Sequence, residues 1–366
     1  MGQQLIFAHE AIERMRIAVL GTSGHAFRNY FPVLPYVPIE YVAQWDPVVD
    51  RARAFARQFG AGNAAYDNLD RLLREQQPAA VLIATDDLDG AGRSIQPVLM
   101  AQCLDAGCHV FCDKPAASTA DEVRYLISSR DRAGKVVAVG IKTMHYPTHT
   151  RVHEIVEDAS TGFGRLVSLF VRYPLRVPAQ AGLALTDLVR RSCLGHVWHP
   201  VGAALRIGGP LHSLSMTLDH TTRNSVVTAT FRGGAVAVFH FPTTASQASP
   251  LEYLEAVGEG ANVIVDNAAR ITYYRKTARG EYGRTTDALT PLSEGPLRWE
   301  PEFSLGVLYN DRNFIQGYAQ SVLHFTEAAM TGRPTTIGTL EDALEVLKVH
   351  EALCKGPGTT VTIPEG

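Results

Sequence analysis

One stretch, residues 16–46, constrains the fold of this chain more strongly than any other. It opens with a short apolar run, residues 17–20, which is typical of a fully buried parallel strand. A glycine-rich turn and an aromatic-rich helical segment follow, and a second strand ends on the carboxylate of Asp46. This order predicts a dinucleotide-binding βαβ unit, in which the turn and helix hold a pyrophosphate and the carboxylate binds ribose hydroxyls.

The turn consists of six residues that we expect to contact the cofactor: Gly21, Thr22, Ser23, Gly24, His25 and Ala26. Ser23 stands where the usual fingerprint has a glycine that lets the backbone approach the phosphates. Gly24 supplies part of that freedom one position later. A glycine turn between a buried strand and a helix is often purely structural, so both interpretations stay open at this point.

Strands and helices alternate through the rest of the first half. Strand-like runs occur at 79–85, 109–112 and 135–140, with helical patterns at 48–59, 67–73, 96–106 and 119–133. This alternation predicts an α/β domain with a doubly wound parallel sheet of the Rossmann type. Because ligands bind beyond the carboxyl ends of such strands, further cofactor contacts are expected from Thr85, Asp86, Asp113, Lys114 and Pro115.

The pattern changes near residue 147. A helix at 147–158 precedes short β runs between 165 and 275, with turn residues separating many of them, which predicts an α+β domain with a largely antiparallel, open-faced sheet. Helices at 311–330 and 339–353 and a strand at 360–363 follow. We therefore divide the chain into an extension (1–14), a nucleotide-binding domain (15–143) and a substrate and oligomerisation domain (144–366), whose last helices can pack back on the first domain.

Composition excludes several classes of protein. The net charge of −3 and the absence of a lysine or arginine block argue against nucleic-acid binding, and no apolar run is long enough to span a membrane. Five cysteines without a C-x-x-C pair indicate unbridged thiols in a reducing compartment. Because the leading residues also lack the pattern of a signal peptide, we expect a cytoplasmic protein.

Several motifs together resemble a known family. Residues 106–115 read AGCHVFCDKP, which is similar to the block AGKHVxxEKP, and VGIK at 139–142 stands where that family has VGFN. Phe325, the GRP at 332–334 and the helix that carries Asp342 are similar to its carboxyl-terminal pattern. With the turn at 21–26, Asp46 and Thr85, these segments resemble the Gfo/Idh/MocA oxidoreductases, which include glucose–fructose oxidoreductase and inositol dehydrogenases.

The resemblance implies the catalytic residues. Lys114 corresponds to the lysine of the family's EKP block, which contacts the nicotinamide ribose and the reacting hydroxyl, and Asp113 replaces the glutamate. The corresponding Lys–Pro bond is cis in relatives, so the resemblance implies a cis bond between Lys114 and Pro115. His199 falls at the acid/base histidine of a D-x-x-x-H-x-x-D block, but both aspartates are replaced, by Gly195 and Gly202.

Substrate contacts are expected from Lys142, His196, Trp198 and His199. Lys142 replaces an asparagine and is a candidate anchor for a carboxylate or phosphate. His196 and His199 share a helix face at i and i+3, but no carboxylate follows at ligand spacing, so we expect no metal site. His145, His149 and His153 have helical spacing, and since Pro147 interrupts them, a surface face is the favoured interpretation.

The resemblance implies hydride transfer between a nicotinamide cofactor and a secondary alcohol or ketone of a sugar, cyclitol or sugar nucleotide. We expect NAD, because Asp46 would repel a 2′-phosphate, while Arg51 and Arg53 keep NADP as an alternative. Two rival functions stay open: a non-catalytic protein that binds nucleotide and sugar, and an NAD-dependent glycosidase. Relatives also imply a homodimer or homotetramer.

Overall fold

The chain folds into two units. The computed structural model describes residues 8–85, 93–175, 193–246, 251–276, 295–301 and 311–365. The first unit comprises Met1–His145 and Arg312–Lys348, and the second comprises Tyr146–Asp311 and Val349–Gly366. The expected boundary at 143/144 lies two residues before this division, and the segment from Arg312 is part of the first unit. Asp86 lies outside the described residues.

The first unit contains a parallel sheet with the strand order β3-β2-β1-β4-β5-β6. Every residue of β4 is buried, and so is nearly all of β1, because a parallel sheet is covered on both faces. The sequence-based expectation of a doubly wound Rossmann sheet is confirmed. Its strands are β1 (Met15–Leu20), β2 (Ile39–Trp45), β3 (Ala65–Tyr66), β4 (Ala80–Ile83), β5 (His109–Asp113) and β6 (Val137–Gly140).

Helices connect these strands, as the alternating pattern predicts. The aromatic segment after the turn is only partly α-helical, because prolines at 32 and 35 lack the N–H that an α-helix needs; it continues as the 3₁₀ segment Phe31–Tyr36. Phe31 stacks on Phe59 at 4.1 Å between ring centroids. The helices are α1 (Gly24–Asn29), α2 (Val49–Phe59), α3 (Leu69–Gln76), α4 (Gln96–Asp105) and α5 (Ala120–Ala133).

The second unit contains a mostly antiparallel sheet, in which only the β7–β10 pairing is parallel among the described strands. Alternate residues of β9 are buried, the pattern of a strand with one covered face. The order is β14-β13-β12-β11-β7-β10-β9-β8-β15. The strands are β7 (Ser168–Arg172), β8 (Leu211–Leu218), β9 (Ser225–Phe231), β10 (Val236–Phe241), β11 (Tyr253–Val257), β12 (Asn262–Asp266), β13 (Arg270–Tyr274), β14 (Leu297–Trp299) and β15 (Thr360–Thr362).

Five further helices are described: α6 (Pro147–Glu157), α7 (Trp198–Gly208), α8 (Arg312–Ile315), α9 (Tyr318–Thr331) and α10 (Leu340–Leu353). The prediction of one continuous helix at 311–330 is wrong, because Gly317 has a φ of +69° and separates α8 from α9. A Cβ at Gly317 would lie 2.6 Å from the carbonyl oxygen of Lys142, so this break also lets two segments approach closely.

The expectation that His145, His149 and His153 lie on one exposed face is also wrong. His145 ends the 3₁₀ segment Lys142–His145, whereas α6 begins at Pro147. His145 and His149 are buried, and His153 is half-buried. All five cysteines are free thiols. Within the described ranges, we find no helix whose length and apolar character would suit a membrane span.

Gly21 is the residue on which the packing of the first turn depends. Its φ is +103°, and a Cβ there would lie 2.6 Å from the carbonyl oxygen of Ala84 and 2.7 Å from Cα of Thr85. Gly60 has a similar φ of +98°, but a Cβ there would meet no atom within 4 Å. An alanine at Gly60 would therefore introduce backbone strain alone, whereas an alanine at Gly21 would introduce both backbone strain and a steric clash.

We predict that Gly21→Ala lowers the free energy of unfolding by about 2–4 kcal/mol, because it adds overpacking to strain. The matched variant Gly60→Ala carries the strain alone and should cost about 1–2 kcal/mol. Urea titrations followed by circular dichroism measure both values. Equal losses in the two variants would contradict the close approach of the turn to the end of β4.

Candidate functional site

The turn after β1 is tied to both neighbouring strands. The amide of Gly21 donates to the carbonyl of Trp45 at 2.8 Å. The hydroxyl of Ser23 accepts from the amide of Ala26 at 3.1 Å and donates to the carbonyl of Ala84 at 2.9 Å. Ser23 is thus the N-cap of α1, and its side chain faces the end of β4. This explains how a serine is accommodated where the fingerprint has glycine.

Gln44 is a site residue that the sequence reasoning missed. It is fully buried in β2, and its Nε2 donates to the carbonyl oxygens of Gly21 (2.7 Å) and Trp45 (3.1 Å). The hydroxyl of Tyr41 donates to its Oε1 at 2.6 Å. An amide inside a predicted buried strand was the available signal, because a buried polar side chain needs hydrogen-bond partners.

Asp46 follows directly after β2 and is only 4% exposed. Its Oδ2 accepts from the hydroxyl of Thr22 at 2.5 Å, and its Oδ1 accepts from the amide of Val48 at 2.9 Å. The carboxylate is therefore fixed beside the glycine turn, which is where a ribose-binding carboxylate is expected. Arg53, one of the two arginines considered for a 2′-phosphate, pairs with Asp50 at 2.6 Å on an exposed surface.

Asp113, at the end of β5, is a buried carboxylate that contacts two side chains. Its Oδ1 accepts from the hydroxyl of Tyr30 at 2.6 Å, and its Oδ2 lies 3.4 Å from Nε2 of His25. Burial, followed by the charge of Asp113, raises the pKa of Tyr30 well above its ordinary value. The phenol therefore stays protonated and donates to the carboxylate at any physiological pH.

The Tyr30–Asp113 hydrogen bond needs a glycine on the next strand. Gly140 pairs with Asp113 across β5 and β6. A Cβ at Gly140 would lie 2.6 Å from the hydroxyl of Tyr30 and 3.1 Å from Oδ1 of Asp113. The sequence did not single out Tyr30, because nothing in its neighbourhood shows that it reaches a carboxylate 83 positions away.

Lys114 lies at the carboxyl end of β5 and is only 5% exposed. The Lys114–Pro115 peptide bond is cis, as the resemblance implies. The carbonyl of Pro115 accepts from the hydroxyl of Ser94 at 2.7 Å, and the amide of Ser94 donates to the hydroxyl of Ser118 at 2.7 Å. These hydrogen bonds hold the loop that carries Lys114 to the segment before α4. Thr85, another predicted cofactor contact, is buried next to Gly21.

Lys142 follows β6 and belongs to a second polar group in the same unit. Its Nζ donates to Oε1 of Gln316 at 3.4 Å and lies 5.2 Å from the ring centroid of Tyr318. The hydroxyl of Tyr318 lies 3.5 Å from Nε2 of His25, which connects this group to Asp113. His25, expected at the cofactor, therefore also contacts side chains at the end of β5 and on α9.

The predicted residues of the second unit differ in burial. His199 is the second residue of α7, is buried and lies 5.6 Å from the ring of Tyr173. His196 is exposed in the turn that precedes α7. Trp198 is fully buried, and its Nε1 donates to the carbonyl of Leu194 at 2.7 Å. Because Trp198 has no surface to offer a substrate, we place it in the core and leave it out of the proposed function.

The arrangement in the first unit fits a dinucleotide. The strand order reverses between β1 and β4, and ligands of open α/β sheets bind at such a switch point. Asp46, the turn and Lys114 follow the ends of β2, β1 and β5, so that they span about 14 Å at ordinary strand spacing. The three atoms nearest to a Cβ placed at Gly24 all belong to the flexible side chain of Arg28, which can move to leave room beside the turn.

These features define the first unit as a Rossmann nucleotide-binding domain. Residues 15–141 match the profile described as "Oxidoreductase family, NAD-binding Rossmann fold". They therefore belong to the Gfo/Idh/MocA oxidoreductase family, and the resemblance inferred from the motifs is confirmed.

Relatives extend the comparison. The chain is 33% identical to inositol 2-dehydrogenase of Rubrobacter xylanophilus over 41% of this chain and 42% of that protein. It is 27% identical to dTDP-3,4-didehydro-2,6-dideoxy-alpha-D-glucose 3-reductase of Streptomyces antibioticus, over 58% of this chain and 63% of the relative. The matches thus span about half the length of these relatives. A dehydrogenase from Chromobacterium violaceum shares the fold, with a TM-score of 0.78, 20% identity and coverage of 94% and 96% of the two chains.

Removing the Tyr30 hydroxyl, which donates to Asp113, tests the importance of this hydrogen bond at the end of β5. We predict that Tyr30→Phe lowers the free energy of unfolding by about 1–3 kcal/mol, because a buried carboxylate oxygen loses its donor. Tyr125→Phe changes an exposed tyrosine and should stay within about 0.5 kcal/mol of the wild type. Urea denaturation compares the two. A Tyr30→Phe variant as stable as Tyr125→Phe would show that the hydrogen bond is dispensable.

Proposed function

We propose that this protein is an NAD-dependent oxidoreductase that transfers hydride between the nicotinamide cofactor and a secondary alcohol or ketone of a sugar, cyclitol or sugar nucleotide. The observation that carries the proposal is Lys114, a nearly buried amine at the carboxyl end of β5 in a domain of an NAD-binding family. A lysine in an ordinary loop would be solvated, whereas this one is enclosed next to the strand end where ligands bind.

The turn and Asp46 are proposed to bind the adenosine half of the cofactor. The backbone amide of Ala26 already donates a hydrogen bond to the hydroxyl of Ser23. We therefore expect the pyrophosphate to bind on the open side of the turn, at Gly24. The fixed carboxylate of Asp46 accepts the ribose hydroxyls and repels a 2′-phosphate. This favours NAD over NADP.

The catalytic groups of the proposal are Lys114 and His199. Bound NAD supplies a carbon that accepts or returns the hydride. Lys114 donates a hydrogen bond to the oxygen of the reacting carbinol and stabilises the charge that develops there as the proton leaves. His199 receives that proton, a task for which the imidazole group suits neutral pH. Asp113, bound by Tyr30, holds the strand end from which Lys114 projects.

The names of the relatives support the substrate class. One is an inositol dehydrogenase and the other a reductase of a nucleotide-linked sugar. We propose the same broad class for this chain. Pairing of the second sheet with another copy stays a prediction from the resemblance.

A second candidate function is a protein that binds nucleotide and sugar without turnover. The replacement of two family aspartates by Gly195 and Gly202 favours it, because the motif around His199 then departs from the family pattern at both carboxylate positions. Calorimetry and cofactor absorbance on the same panel of sugars and cyclitols separate the two. Binding heat without any change in reduced-cofactor absorbance would support the non-catalytic function.

We predict that Lys114→Ala lowers kcat by about 100-fold or more, since the amine acts on the reacting oxygen. It should weaken NAD binding by about tenfold at most, because the same amine is expected to contact the nicotinamide ribose through one hydrogen bond. His199→Ala should cause a similar loss of kcat. Lys355→Ala removes an exposed lysine and should leave both constants unchanged. Absorbance of reduced cofactor and fluorescence titration measure kcat and Kd. Full turnover by Lys114→Ala would rule out this mechanism.

The cofactor preference gives a separate prediction. Asp46→Ser should weaken NAD binding by about 10–100-fold, because a charged hydrogen-bond acceptor is lost, and should improve NADP binding. Serine can still accept from the amide of Val48, so the turn is retained. Asp105→Ser removes an exposed carboxylate at the end of α4, which pairs with Arg132, and serves as the control. An unchanged ratio of NAD to NADP affinity in Asp46→Ser would remove Asp46 from the cofactor site.

A further inference from the structure

Two cations of the first unit converge on one oxygen atom. Nζ of Lys142 lies 3.4 Å from Oε1 of Gln316, and Nε of Arg312 lies 3.3 Å from the same atom. That oxygen belongs to a neutral amide. An anionic oxygen at the same place would accept charge-assisted hydrogen bonds from both cations, which are stronger than bonds to a neutral amide oxygen.

The surrounding structure holds both cations in place. Arg312 donates through Nη2 to Oδ1 of Asn29 at 2.6 Å, which anchors it to α1. The amine of Lys142 lies over the ring of Tyr318, a position that a cation–π interaction stabilises. Lys142 is buried, and the absence of a Cβ at Gly317 lets α8 and α9 approach the segment that carries it.

The location of the pair is that of a ligand site. Lys142 begins the segment directly after β6, and Lys114 follows β5, its hydrogen-bonded neighbour. The carboxyl ends of adjacent parallel strands lie side by side, so the pair is near the amine proposed to act on the substrate. The contacts from Tyr318 to His25 and from His25 to Asp113 connect the two places.

We infer that Lys142 and Arg312 form an anion clamp that binds a carboxylate or phosphate group of the substrate. This inference rests on the proposed function and narrows its substrate class to acidic or phosphorylated compounds. Charge-assisted hydrogen bonds to the two cations would replace weaker bonds to the amide of Gln316.

Inorganic phosphate is a suitable probe, titrated by calorimetry at constant ionic strength into the full chain saturated with NAD. We expect binding that Lys142→Met weakens at least tenfold and that Arg312→Gln also weakens. Lys142→Arg keeps the charge and should keep phosphate binding, and Lys355→Met is the control for an exposed lysine. Circular dichroism and the Kd for NAD establish that each variant is folded.

Three results would overturn the clamp: no phosphate binding by the wild type, equal binding by Lys142→Met, or displacement of phosphate by NAD. The last result would assign the cations to the cofactor's own phosphates. A titration without NAD separates this inference from the proposed function. Failure of the proposed function appears as a lack of NAD binding or redox turnover, whereas failure of the clamp leaves both intact.

Discussion

The close approach of Gly21 to the end of β4 is the constraint on which the candidate site depends. Backbone atoms of Ala84 and Thr85 occupy the space that any side chain at this position would need. Because the turn lies this close to β4, the hydroxyl of Ser23 can donate a hydrogen bond to the carbonyl of Ala84. The side-chain amide of Gln44 donates to the carbonyl of Gly21. The turn is thereby fixed between the ends of β2 and β4, at the switch point of the sheet.

The hydrogen bond between Tyr30 and Asp113 is a second constraint, at the carboxyl end of β5 in the same parallel sheet. The carboxylate of Asp113 is buried with the hydroxyl of Tyr30, and Gly140 leaves the room that this hydrogen bond needs. Burying a carboxylate is costly unless a donor compensates, so the hydrogen bond from Tyr30 stabilises this arrangement. This hydrogen bond holds the end of β5, which is directly followed by Lys114, the residue proposed to act on the substrate.

Much of the site was accessible from the sequence because its residues follow buried strands. Asp46, Thr85 and Lys114 all lie at or just beyond the ends of largely apolar strands, and parallel strands end at one edge of a sheet. Tyr30, Gln44 and Gln316 were missed, because their roles depend on partners that local pattern does not identify. The prediction of a continuous helix at 311–330 was wrong for the same reason. Gly317 adopts the αL conformation where it packs against the backbone of Lys142, which is far away in the chain.

The sequence by itself determined the parallel sheet, the position of the glycine turn and the family to which residues 15–141 belong, since periodicity and short motifs encode local structure. Only the tertiary structure decided which side chains meet. Arg312 reaches Asn29 across 283 positions of sequence, and Tyr318 brings His25 and Lys142 into one group. Such contacts arise from packing between distant segments, and packing depends on the shape of the whole folded unit.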